Sequence, residues 1–251
     1  MSADLPSSDK AAVTVSVVVP VRNEAENVAP LVAEIIGALD GRWAYEIIYV
    51  NDGSTDATGE RLFELAKSHP QLRQLRHATS FGQSAAVRSG VRAARGAVVV
   101  TLDGDGQNNP VFLPKLIAAI ENGGDRVGLA AGQRVGRKDT GFKRWQSRAA
   151  NAVRKAILHD GTRDTGCGLK AFRREVFLAM PYFDGLHRFL PALVRREGFE
   201  IAYVDVIDRP RNSGVSNYGF FDRLWIGIMD LAGVWWLIRR KKPTPVATEV
   251  Q

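Results

Sequence analysis

From Val13 to Asn122, short runs of β-branched residues alternate with segments of helical period, and that alternation leaves few folds open. Val13–Val19 reads VTVSVVV, Tyr45–Val50 reads YEIIYV, and Ala97–Leu102 reads AVVVTL. Each is short, continuous and apolar, as a strand covered on both faces must be. Leu72–Arg76 is a shorter strand of the same series. Between them, Ala25–Leu39 places Val28, Leu31, Val32, Ile35, Ile36 and Leu39 at helical spacing. Asp56–Lys67, with Ser54 or Thr55 as cap, and Gln83–Ala94, stopped by Gly96, are predicted helices. Pro110 opens a further helix to about Asn122, since proline suits a first helical turn. Strand and helix in strict alternation build a mostly parallel sheet with helices on both faces and right-handed crossovers. In such sheets the ligand lies beyond the carboxyl ends of the strands. Those ends carry Pro20–Glu24, Asn51–Ser54 and Asp103–Gln107.

The second half is less regular. Val127–Gly132, Leu169–Phe172 and Ile201–Val206 are predicted strands, and Lys143–Leu158 a basic helix before a polar, Gly-rich loop at 159–168. The chain is divided into a disordered N-terminus (1–12), one main α/β domain (13–218), an amphipathic membrane-associated segment (219–242) and a flexible tail (243–251). The N-terminal MSADLPSSDK has no apolar core, so no signal peptide is expected there.

Charge narrows the partners. The formal net charge is +7, which favours an anionic partner. Seven basic residues (Arg209, Arg211, Arg223, Arg239, Arg240, Lys241, Lys242) face two acidic ones, Asp222 and Asp230, near the C-terminus. They flank Phe220–Ile238, an aromatic and apolar stretch interrupted by Asp222, Arg223 and Asp230. Charges at mid-bilayer are costly. The stretch is therefore expected to lie on the cytoplasmic face of a membrane as a peripheral helix, with tryptophans at headgroup depth. No nucleic-acid-binding motif occurs, and oligomeric state is not legible.

The single cysteine, Cys167, makes neither an internal disulfide nor a zinc site. The four histidines show no metal-ligand spacing, so any metal is expected on oxygen ligands. Asp103-Gly104-Asp105-Gly106-Gln107 offers such ligands at a strand end. Alternate residues of an extended segment share a face, so Asp103, Asp105 and Gln107 form a candidate Mg²⁺ or Mn²⁺ site. Asn51-Asp52-Gly53-Ser54 ends another strand, where Asp52 could bind a nucleobase or ribose. Neither a dinucleotide fingerprint nor a P-loop is present.

In order along the chain, Pro20-Val21-Arg22-Asn23-Glu24, VNDGSTD (50–56), TLDGDGQ (101–107), DTGCGLKAFRRE (164–175), HRFLPAL (187–193) and RPRNSGVSNYG (209–219) resemble a family 2 glycosyltransferase of the dolichyl-phosphate mannose synthase type. The resemblance covers about residues 13–240. It implies a GT-A nucleotide-sugar fold and inverting transfer of one sugar, most simply mannose from GDP-mannose, to a polyprenyl (dolichyl or undecaprenyl) phosphate. By the same resemblance Pro20, Arg22, Glu24 and Asp52 hold the nucleotide, together with Asp103, Gly104 and Asp105. Asp103, Asp105 and Gln107 surround the metal and diphosphate. Arg134, Arg188, Arg209 and Arg211 surround donor diphosphate and acceptor phosphate, and Ser147 lies near the latter. Two features depart from the family pattern: Asn108-Asn109-Pro110 where two prolines are common, and one interrupted apolar segment where relatives often have several spans.

The chemistry fits these residues. Departure of a nucleoside diphosphate builds negative charge that a cation and arginines can stabilise. A phosphate monoester is largely ionised at neutral pH, so attack by it needs little help from a base. Asp164 is open to two readings: a base, as in relatives using hydroxyl acceptors, or a loop-ordering partner of an arginine. It is kept with Asp105, Arg134, Arg188 and Arg211 among the candidate catalytic residues. Two other functions compete: transfer to a sugar hydroxyl, and a non-catalytic basic adaptor at the membrane surface.

Overall fold

A computed structural model describes residues 12–135, 154–158, 160–162, 164–209 and 220–242, of which 220–225 are described by backbone alone. The expectations for the N-terminus, Ser147, Arg211 and the C-terminal tail lie outside these residues.

A seven-stranded sheet organises them. Its strands are β1 (Val15–Val21), β2 (Tyr45–Asp52), β3 (Leu72–His77), β4 (Val98–Thr101), β5 (Val127–Arg134), β6 (Lys170–Arg173) and β7 (Glu200–Val206). The spatial order is β3-β2-β1-β4-β6-β5-β7. All neighbours are parallel except β6, which runs antiparallel to both β4 and β5. The helices that follow the first strands are α1 (Ala25–Leu39), α2 (Thr58–Ser68), α3 (Gln83–Ala93) and α4 (Leu113–Asn122). Then come α5 (Arg174–Ala179), α6 (Leu190–Arg196) and the C-terminal α7 (Phe220–Arg240). Residues 154–158 are helical and belong to the basic segment read as a longer helix.

Side-chain alternation sorts the core into two layers. Val15, Val17, Val19 and Val21 of β1 pack with Ile35, Leu62 and Leu116 of α1, α2 and α4. Val18 points the other way, into a layer with Val87 and Val91 of α3, Phe172, and Leu190 and Leu193 of α6. The β-branched runs of the sequence are therefore buried on both sides, each such side chain contributing about 1.5–3 kcal/mol of transfer free energy.

One buried carboxylate pins the strands at their amino ends. Glu46 of β2 accepts the Ser16 hydroxyl of β1 (2.8 Å), the Arg95 N–H (2.7 Å) and Arg73 of β3 (2.5 Å). Burial alone would raise its pKa; these donors outweigh burial and hold the carboxyl below its ordinary range.

The C-terminal helix lies against the domain. Val234 is buried in the second core layer. Arg196 Nε donates to the Leu237 carbonyl (3.0 Å), Lys241 pairs with Glu197 (2.7 Å), and Asp230 pairs with Arg188 (2.8 Å). No helix among the described residues is long and apolar enough to cross a membrane.

Candidate active site

The sheet changes direction of winding between β1 and β4, and the crevice opens there. Chain order leads from β1 outward to β2 and β3 on one side, and back to β4 on the other. Ligands of open α/β sheets bind at such a switch point. A cleft of about 450 Å³ lies at it, lined by Pro20, Val21, Arg22, Glu24, Asp52, Ser80, Gly82, Gln83, Ala86, Asp103, Gly104 and Asp105. All seven residues expected at the nucleotide sugar are in this lining.

The wall on the β1–β2 side is built by hydrogen bonds between loops. Asn23, at φ 56°, accepts the Thr55 N–H (2.8 Å), and its own N–H meets the Ser54 hydroxyl (3.0 Å). Glu24 N–H donates to the Thr58 hydroxyl (2.9 Å). These ties correct the expected start of α2. Ser54 serves the 22–25 turn rather than a helix end, Asp56 accepts both the Thr58 and the Ala25 N–H, and the helix begins at Thr58.

Asp52 organises the opposite lip. Its Oδ1 pairs with His77 Nδ1 (2.7 Å) and accepts the Phe81 N–H (2.9 Å). Its Oδ2 accepts the Ser80 hydroxyl (2.7 Å) and the Gly82 N–H (2.9 Å). Burial would raise this carboxyl; the four donors overcome it and hold the pKa low. Asp52 thus spends both oxygens on the 80–82 loop, so a base or ribose reaching it must displace one of these donors.

The Asp-x-Asp segment comes together by a turn, not by strand alternation as expected. β4 ends at Thr101, residues 104–105 turn, and Gly106 takes φ 75°. Asp103 accepts Gln83 Nε2 (2.6 Å), and its N–H donates to Asn108 Oδ1 (2.8 Å). Asp105 Oδ1 accepts the Gln107 N–H (3.1 Å), so Gln107 contributes its backbone here. Two glycines make room. A Cβ on Gly104 would stand 2.2 Å from Val21 Cγ1, and one on Gly168 would stand 2.3 Å from Asp103 Oδ2.

Burial first, then the neighbouring charges of Asp105 and Asp208, push Asp103 up to about 6 against the lowering effect of Lys170. Negative charge is thus concentrated on hard oxygen donors, as a Mg²⁺ or Mn²⁺ site requires. Among the described residues no cluster of three or more acidic, His or Cys side chains is arranged as a complete metal cage. The fit is to a cation shared between Asp103, Asp105 and ligand oxygens.

A smaller cavity of about 130 Å³ continues from the cleft on the far side of Asp103. Gln83, Cys167, Gly168, Lys170, His187 and Arg188 are in its wall. Lys170 is buried, and its Nζ donates to the Cys167 carbonyl. Burial pushes the Cys167 thiol up to about 11, which leaves it inert at neutral pH. Burial and the nearby Lys170 and Arg188 charges push His187 down to about 3, so its imidazole is neutral.

The arginines separate by what holds them. Arg134 grips Asp164 with two hydrogen bonds (2.5 and 2.8 Å) and reaches Asp208 at 3.3 Å. Burial would raise Asp164, but Arg134 outweighs it and holds the carboxyl below its ordinary value. That arrangement matches the loop-ordering reading of Asp164 and disfavours the base. Arg209, expected at the acceptor phosphate, points its guanidinium at Glu34 of α1 (2.8 Å) and at Asn109 (2.9 Å). Arg188 lines the smaller cavity, meets Asp230, and keeps a buried Nε with no hydrogen-bond partner among the described residues. Sequence reasoning passed over Gln83, Lys170, His187 and Asp208. Lys170 and His187 stand inside quoted motifs, while nothing in the sequence marks Gln83.

Residues 16–179 match the family model described as Glycosyl transferase family 2. The chain belongs to glycosyl transferase family 2. This family 2 glycosyltransferase is 35% identical over 234 residues to the dodecaprenyl-phosphate galacturonate synthase of Rhizobium johnstonii, covering 90% of this chain and 68% of that one. It is 33% identical over 211 residues to the undecaprenyl-phosphate 4-deoxy-4-formamido-L-arabinose transferase of Shewanella sediminis, covering 83% of this chain. The match spans only 62% of that relative's length. Glucosyl-3-phosphoglycerate synthase from Mycobacterium tuberculosis, crystallised with Mn²⁺, UDP-glucose and glycerol 3-phosphate, superposes with a TM-score of 0.64 at 22% identity. The alignment covers 91% of this chain and 81% of that one. At that identity the likeness speaks for the fold, and the expected GT-A architecture is the one found.

Proposed function

We propose that this family 2 glycosyltransferase moves one sugar from a nucleotide diphosphate sugar to the phosphate of a polyprenyl phosphate, at a membrane surface and with inversion. The carrying observation is the ion pair between Arg188 and Asp230. It joins the cavity beside Asp103 to a helix whose outer face is apolar between Ile226 and Trp236. Ile228, Met229, Trp235 and Trp236 are all exposed there, and Ile228/Trp235 and Met229/Trp236 are each seven residues apart, hence on common stripes. A phosphate on a bilayer-embedded chain can reach Arg188 from that side. The curated relatives named above, acting on dodecaprenyl and undecaprenyl phosphates, support the same acceptor class.

In this reading the cleft of Pro20, Arg22, Glu24 and the Asp52-ordered loop takes the nucleotide, and the smaller cavity takes the sugar. A divalent cation bound to Asp103 and Asp105 would neutralise the diphosphate as it leaves. Through that cation Asp103 and Asp105 would hold the diphosphate end at the cavity mouth, while the Arg134–Asp164–Asp208 group fixes the loop at its wall. The acceptor phosphate arrives ionised, so no protein carboxylate has to remove a proton, and Asp164 stays with Arg134. Galacturonate and formamido-arabinose in the relatives, and UDP-glucose in the structural neighbour, favour a uridine nucleotide over GDP-mannose.

The test is a panel of UDP- and GDP-sugars incubated with undecaprenyl phosphate and Mn²⁺. An acid-labile sugar–phosphate lipid is expected from a UDP-sugar. Transfer onto a hydroxyl acceptor, with none onto any polyprenyl phosphate, would refute the proposal; a mannosyl lipid from GDP-mannose would overturn the uridine preference alone.

A further inference from the structure

Ser84, in the first turn of α3, is almost fully buried behind the smaller cavity. Its hydroxyl oxygen accepts the Gly185 N–H at 3.0 Å and lies 2.7 Å from His187 Nδ1. A hydroxyl carries one hydrogen and two lone pairs. One lone pair goes to Gly185; were the other to take an Nδ1–H, the hydroxyl hydrogen would have no acceptor among the described residues, so Nδ1 is assigned as the acceptor. The imidazole then receives at Nδ1 and carries its own proton on Nε2. Nε2 makes no hydrogen bond among the described residues, and it is the ring edge left for the cavity that His187 lines.

We infer that His187 is a specificity-determining residue: held by Ser84, it presents a neutral Nε2–H donor that selects the transferred sugar by bonding one of its hydroxyl oxygens. This rests on the glycosyl-transfer reading of the site and deepens it. The neighbouring groups suit the role. Lys170 and Arg188 bring positive charge to the same cavity and oppose a third cation there. Gln83 and Asp103 fix the side of the cavity facing the leaving diphosphate. A buried donor built to meet an oxygen rejects a sugar lacking it in that place, because the N–H is then left unpaired. Ser84 acts through His187 and is the positioning residue.

Two measurements test this. In ¹⁵N-labelled protein, with the His187 signals assigned by their loss in His187→Gln, wild type should show a protonated Nε2 and an unprotonated Nδ1, and Ser84→Ala should shift the ring towards a tautomer mixture. A wild-type ring protonated at Nδ1 overturns the assignment without any ligand or folding question. In calorimetry, His187→Phe should leave binding of the nucleoside diphosphate within about twofold and weaken the corresponding nucleotide sugar by about tenfold, the scale of one hydrogen bond. Equal weakening of both ligands would make the imidazole structural and refute the role in specificity. Wild type that binds no nucleotide sugar, whatever its tautomer, overturns the transferase reading and this inference with it.

Discussion

Neutralising Arg239, Arg240 and Lys242 together should release the protein from anionic vesicles, whereas neutralising Lys241 should not. The four basic residues are consecutive, yet the structure divides them. Lys241 turns inward to Glu197 at 2.7 Å, with its side chain only 23% exposed. Arg239, Arg240 and Lys242 are exposed, Arg239 lying over the Trp235 ring at 4.4 Å. Each basic residue near an anionic leaflet contributes about 1 kcal/mol. Three give roughly 3 kcal/mol before screening, on the order of a hundredfold in partitioning. The Arg239→Gln/Arg240→Gln/Lys242→Gln variant should therefore leave the pellet in co-sedimentation with phosphatidylserine vesicles at low salt. Its melting temperature should hold. Lys241→Gln should lower the melting temperature slightly and pellet like wild type. Apolar burial of Met229, Trp235 and Trp236 should keep a salt-resistant fraction bound to both. Loss of pelleting in Lys241→Gln equal to that of the triple variant would show that the inward pairing does not hold at the membrane. Pelleting of the triple variant unchanged at every salt concentration would remove the electrostatic account altogether.

Asp164→Asn and Arg134→Gln should each cost kcat, with the double variant no worse than the poorer single one, because the two act as a unit; additive losses would give Asp164 a separate role as a base. Gly168→Ala should cut kcat by about a hundredfold with a small change in melting temperature, since its Cβ displaces Asp103; full activity would mean that Asp103 need not sit where it does. Glu46→Gln should lower stability by about 2–3 kcal/mol in chemical denaturation at neutral pH. The Glu46 carboxyl is depressed in the folded state. Its contribution is therefore present above the unfolded glutamate pKa of about 4.3 and is lost as pH falls through the folded value; a wild-type–variant difference that persists undiminished well below pH 3 would contradict that.

Much of the sheet could be read directly, because a strand covered on both faces has little choice of composition. α1 occupies Ala25–Leu39 as its apolar spacing requires. The misread start of α2 has a tertiary cause. Ser54 is a capping residue by type, but the 22–25 turn takes its hydroxyl, while Asp56 divides its oxygens between that turn and Thr58 at the helix start; no local pattern reveals which N–H a side chain will meet. The Asp-x-Asp motif was found for an incorrect geometric reason: alternation along a strand does not hold past Thr101, and the turn at 104–106 brings the carboxylates near one another. Lys170 and His187 were hidden for a different reason. Each reaches the cavity from an element, β6 or the turn after Gly185, whose place beside β4 and α3 depends on long-range pairing.

The arginines show why a basic composition does not by itself define a phosphate site. Arg134, Arg188 and Arg209 all have carboxylate partners, so each must exchange one anion for another before it can serve a ligand. Arg134 is 17% exposed and bidentate to Asp164, which is 16% exposed. Removing one partner from so buried a pair costs about 3–5 kcal/mol, more than a single phosphate contact returns. Arg209 is held by both oxygens of Glu34 on the α1 side of the turn. Arg188 is 41% exposed but its partner Asp230 only 17%; the Arg209–Glu34 pair is the more open, at 41% and 38%, and such a pair is worth about 1 kcal/mol or less. The buried Nε of Arg188 has no partner among the described residues, so a phosphate oxygen that takes this donor gains a hydrogen bond that those residues leave unmade. Arg188 is thus the arginine in the cavity wall with a donor to offer, and it is tied to the C-terminal helix. The buried Arg134 instead keeps its carboxylates and with them the shape of the loop. Number and sign of charges brought all these residues to notice; burial sets Arg134 apart as the arginine that holds the fold, and its place in the cavity wall sets Arg188 apart from Arg209.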